Sequence, residues 1–194
     1  DQTPGEHWGS ALQRFVQQKP ELIRDRVLVL HTAPYGSVAH TLVPGMHDAS
    51  TWLAASNTLR LEHEFTHYAT TRFYGSMRSN MLDELVADCM GFLAALGTFP
   101  AQLFRRCMGI TSEGWAPSGA RARLYMADFD DPVIDKILGI TLKAAANLEQ
   151  ALEQHAIRSA GPELFFALTA LTLPDMASPE GVHLIGAGLA RTDP

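Results

Sequence analysis

The chain has 194 residues, 46% of them hydrophobic and 19% charged, with a formal net charge of -6. That composition is globular rather than disordered. The acidic balance, with no basic run, argues against a nucleic-acid surface or an anionic membrane, and no apolar stretch approaches the roughly 20 residues of a membrane-spanning helix.

The opening Asp1-Gln2-Thr3-Pro4 has neither the charged nor the apolar region of a secretory signal. It also lacks Met, which points to a chain processed from something longer. Trp8, Leu12, Phe15 and Val16 then recur at helical spacing until Pro20. Arg26 to His31 (RVLVLH) is short, apolar and β-branched and reads as a strand. Residues 32–50 carry Pro34, Gly36, Pro44 and Gly45 and read as a long loop, with one edge strand expected at His40 to Val43. Irregular stretches of this length are often functional.

A helix is expected from about Asn57 to Tyr74, with Gly75 as its stop. A second starts near Asn80, with Asp83 placed as in a capping box, and ends at Gly97. Further helices are expected over 100–108, 118–127, 132–156, 163–171 and 179–190, the last with Ser178 as its cap. The fold class is therefore mainly α with a small β element, an α+β arrangement. One domain is expected over 1–194: strand and active-site helices in 1–100, a helical C-terminal part in 101–194. Cys89 and Cys107 form neither a disulfide framework nor a metal knuckle; they read as buried apolar residues, with a lean towards the cytoplasm.

Within the first long helix lies His63-Glu64-Phe65-Thr66-His67, an HExxH motif. Residues i and i+4 share a helical face, so both imidazoles can address one ion, and Glu64 can reach a water on it. Catalytic zinc uses three protein ligands and an open water position, and it lowers the water's pKa to about 7. Glu64 is then the general base. At 1.5 Å per residue, His67 lies about 10 Å before the turn and Glu84 about 6 Å after it. Glu84 can thus supply the third ligand, and Asp88, on the same face, can hold the outer nitrogen of a ligand histidine.

HEFTHYAT (His63 to Thr70) followed by DELVADCMG (Asp83 to Gly91) resembles the gluzincin branch of zinc metallopeptidases, in a compact member with a short interval between ligands. The resemblance covers about 30 residues. It implies a zincin-like pair of helices, zinc on His63, His67 and Glu84, Glu64 as base, Asp88 as orienting carboxylate, and a peptide or protein substrate. No residue is singled out as oxyanion stabiliser: Tyr125, His31, His40, His47, His155 and His183 are candidates. Arg105, Arg106, Arg121 and Arg123 are candidates for a substrate carboxylate, with scattered surface positions the commoner outcome. Trp115 reads equally as a cleft residue or a core anchor. The alternatives are a regulatory zinc-binding domain with a degenerate site, and a helical interaction protein whose HExxH is coincidental.

Overall fold

A computed structural model describes residues 7–18, 28, 30–75 and 80–190. These residues form nine α-helices: α1 (Trp8–Gln18), α2 (Ala49–Tyr74), α3 (Asn80–Leu96), α4 (Ala101–Cys107), α5 (Arg121–Leu124), α6 (Asp131–Gln154), α7 (Pro162–Thr169), α8 (Leu173–Ala177) and α9 (Gly181–Ala190). None is long and apolar enough to cross a membrane.

The expected β element is corrected. No strand occurs among the described residues, so the fold is all-α rather than α+β. His40–Leu42 is a 3-10 turn whose bonds are local, from the Leu42 N–H to the Ala39 carbonyl and from the Val43 N–H to the His40 carbonyl, both 3.0 Å. β propensity reflects the fit to a neighbouring strand, and this segment has none to pair with. Half of the expected strand at 26–31 lies outside the described residues; Leu28, Leu30 and His31 are non-strand and exposed.

Helix α2 starts eight residues earlier than its apolar spacing indicates. Asp48 caps it by accepting the Thr51 N–H at 2.8 Å. Gly75 ends it in the left-handed region, φ 77°, where its N–H reaches the Thr71 carbonyl. The expected helix at 118–127 shrinks to the single turn of α5, and α8 is an element that the apolar spacing does not mark.

Helix α3 is the axis of the molecule. From Met81 to Leu93 every residue is buried, against α2 on one side and α6 and α7 on another. A helix apolar all round belongs in a core, and here three carboxylates interrupt that surface. The pairing with α2 is antiparallel: Gly91 meets Leu59, Asp88 meets His63, and Glu84 meets His67. Gly91 sets the spacing, because a Cβ there would stand 2.7 Å from the Leu59 carbonyl oxygen. The C-terminal part packs α6 against α8, α9 and α4 and places α5 over the α2–α3 seam.

Candidate metal centre

His63, His67 and Glu84 each turn a potential ligand atom to one point, all within 4.8 Å of one another. The outer nitrogens of both rings are taken. His63 Nδ1 lies 2.8 Å from Asp88 Oδ1, and His67 Nδ1 pairs with Asp83 Oδ2. A carboxylate accepts, so each Nδ1 carries the proton and each Nε2 presents a lone pair. Those two Nε2 atoms face each other at 2.9 Å, and Glu84 Oε1 stands 3.2 Å from that of His67. The three acceptors could hold a cation among them, and Arg121 Nη2 also approaches His63 Nε2 at 3.4 Å. The donor set of two imidazoles and a carboxylate suits zinc.

The charge balance points the same way. Asp83, Glu84 and Asp88 are 4%, 3% and 0% exposed, and one guanidinium, that of Arg121, faces them. A divalent cation would neutralise the remaining two charges, and buried charges persist only when compensated. When the place is taken by a proton instead, His67 carries it: burial opposes its charge, but Asp83 and Glu84 outweigh that and raise its pKa to about 10.

Asp88 is the hub of the support. It receives His63 Nδ1, the Tyr35 hydroxyl, and Arg121 through both Nη atoms at 3.1 Å. Burial pushes its carboxyl up, but Arg121 and His63 prevail and hold it below the usual carboxylate range. Arg121 Nη2 also donates to Glu84 Oε2 at 2.7 Å. This leaves Oε1 on the side of the imidazoles.

Tyr35 comes from the loop flagged by its length. The loop is tied down by Arg60, which donates to the carbonyls of His31 at 2.9 Å and Ala33 at 3.0 Å, and by Ser56 Oγ, which accepts the Tyr35 N–H. Gly36, φ 57°, is required there, since a Cβ would fall 2.5 Å from Cys107 Cα.

On its His63 side the centre borders a cleft of about 320 Å³, lined by His63, Glu64, Arg121, Tyr125, Tyr35 and His31 among others but not by His67 or Glu84. Glu64 therefore stands at the open side, beside a ligand histidine. Of the oxyanion candidates, Tyr125 and His31 border the cleft, whereas His40, His47, His155 and His183 do not. The Tyr125 hydroxyl accepts from Arg121 Nε at 3.1 Å. Burial raises that hydroxyl to about 12; Arg121 pulls against this and the Glu84 carboxylate adds to it.

Three supporting residues fall outside what the spacing indicates. Asp83 holds His67 rather than serving only the helix start. Tyr35 and Arg121 join Asp88 from 53 and 33 positions away. The other arginines are structural: Arg105 donates to the Ile110 carbonyl, Arg106 to that of Leu42 and Arg123 to that of Ala116. Trp115 is half exposed and anchors no core. Cys89 and Cys107 are buried, and burial raises both thiols.

A family model described as a family of unknown function (DUF7005) matches residues 1–180. No curated protein and no solved structure matches the chain.

Proposed function

The chain belongs to the DUF7005 family, whose function is unknown, and we propose that it is a zinc-dependent hydrolase that cleaves peptide bonds with a gluzincin-type donor set. One observation carries the reading: both Nε2 atoms of the HExxH pair converge with Glu84 Oε1 while carboxylates occupy both Nδ1 atoms.

His63, His67 and Glu84 would hold the ion. Zinc supplies Lewis acidity there, polarising a carbonyl and making water nucleophilic near neutral pH. Glu64 accepts the proton of the attacking water and delivers it to the leaving amine. Tyr125, with its hydroxyl held protonated at neutral pH, donates to the carbonyl oxygen as negative charge builds on it. Arg121 orients Tyr125 through Nε and keeps Glu84 and Asp88 in place through its other nitrogens. Asp83 and Asp88 fix the tautomer and direction of the imidazoles.

The test is Glu64→Gln, assayed for zinc content and for cleavage of a peptide library. The variant should keep its zinc and lose turnover by about 100- to 10,000-fold, the usual contribution of a general base. Unchanged turnover would remove Glu64 from the mechanism. A wild-type protein that holds zinc and cleaves nothing would be the regulatory zinc-binding domain instead.

A further inference from the structure

A second pocket, of about 550 Å³, shares Tyr125 with the cleft beside Glu64. Its walls include Met81 and Leu82 from the start of α3, Met126 after α5, Ile137 and Ile140 from α6, and Leu173 from α8, together with Tyr125. No charged side chain lines it among the described residues. Apart from Tyr125, its polar side chain is Thr172, whose hydroxyl is already committed to the capping box of α8, donating to Asp175 Oδ2 at 2.6 Å. The polar side chain that remains, Tyr125, is the residue this pocket shares with the metal-centre cleft.

We propose that this pocket binds the aliphatic chain of an N-acylated peptide, with the polar head of that substrate lying across Tyr125 in the Glu64 cleft. Size argues for a chain rather than a single side chain. An apolar cavity of about 150 Å³ already takes up benzene, and this one is more than three times that volume. The walls argue for an aliphatic occupant, since Met, Leu and Ile side chains adapt to a flexible chain and offer no partner to a polar one. The arrangement matches the general pattern of ligand sites, a mainly apolar concavity with a few convergent polar groups. That the bound molecule is a substrate rests on the hydrolase reading above; the capture of the chain does not.

The probe is dansyl-labelled undecanoic acid, titrated by fluorescence into the full chain. Saturable capture of one probe per chain is expected, displaced by an N-lauroyl dipeptide and not by the N-acetyl form of the same dipeptide. Ile140→Trp fills the pocket with an apolar side chain and should weaken capture by roughly tenfold or more, as blocking an apolar site removes its buried area, while zinc content stays at the wild-type level. Ile140→Asp should have the same effect by placing a charge in the wall. Non-saturable capture, capture indifferent to Ile140→Trp, or equal displacement by N-acetyl trileucine would each overturn the acyl pocket. Capture needs neither zinc nor Glu64, so that result would leave the hydrolase reading untouched. Conversely, a chain that captures the probe and hydrolyses nothing would overturn the hydrolase reading alone.

Discussion

Between α2 and α3, Asp88 alone receives Tyr35, His63 and Arg121, whereas the buried side chains where α6, α8 and α9 meet are mostly apolar, such as Leu138, Leu148, Met176 and Ile185, with the uncharged Asn147 bonding the Met176 and Ser178 carbonyls. The two regions respond to change differently. An apolar contact that is trimmed loses area and leaves a cavity, a graded cost. A buried charge that loses its partner is left uncompensated, and the cost falls on whatever remains. The site region therefore trades stability for a fixed arrangement of charges, and the apolar layer holds that arrangement in place from behind α3.

The sharpest way to break the comparison is Asp88→Ala. It removes one of the two carboxylates that Arg121 pairs with, leaving it only Glu84, and frees His63 Nδ1, so it should destabilise by about 3–5 kcal/mol in thermal or urea unfolding and weaken zinc binding by about 10- to 100-fold. Leu148→Ala, fully buried in α6, should cost about 2–5 kcal/mol with zinc affinity unchanged. If it also loses zinc, the two regions are not separable. Gly91→Ala forces α2 and α3 apart at the Leu59 carbonyl. It should cost about 1–3 kcal/mol and lower zinc affinity as well, since the same seam carries His63 and Glu84. Asp83→Asn keeps the volume and removes the charge on His67. It should weaken zinc binding by about 10-fold or more with a smaller change in unfolding than Asp88→Ala.

A further effect is a pH dependence. In chelated protein the His67 pKa is raised to about 10 from 6.5. The stability this contributes is fully present below about pH 6.5 and is lost as pH rises through about 10. Zinc takes the place of that proton, so loaded protein should not show the loss. The gap in Tm between loaded and chelated protein should widen from pH 6.5 towards 10, and zinc uptake near neutral pH should release a proton. A constant gap would mean that His67 is not the protonated group.

What the sequence made legible follows the range of its periodicities. His63, Glu64 and His67 share a helical face by spacing alone, and Glu84 and Asp88 follow from the levels of two helices joined by a short turn. Residue spacing within one helix says nothing about Tyr35 or Arg121, which reach Asp88 only through the tertiary path of a loop and a single helical turn. The signals for them were indirect: the length of the 32–50 loop, and an arginine at Arg121 without a feature to separate it from Arg105, Arg106 and Arg123. Asp83 was visible but assigned to the helix start, because capping is a local pattern and its pairing with His67 is not. The strand expected at His40 to Val43 failed for the converse reason. Its β-branched, apolar composition is local, while a strand exists only with a partner.

The central claim is that the convergent Nε2 and Oε1 atoms hold a metal ion, and elemental analysis of chelator-free protein tests it most directly. The wild type should carry about one zinc per chain, lost in His63→Ala, because a three-ligand site normally binds tightly. Less than about one-tenth of an ion per wild-type chain would contradict it.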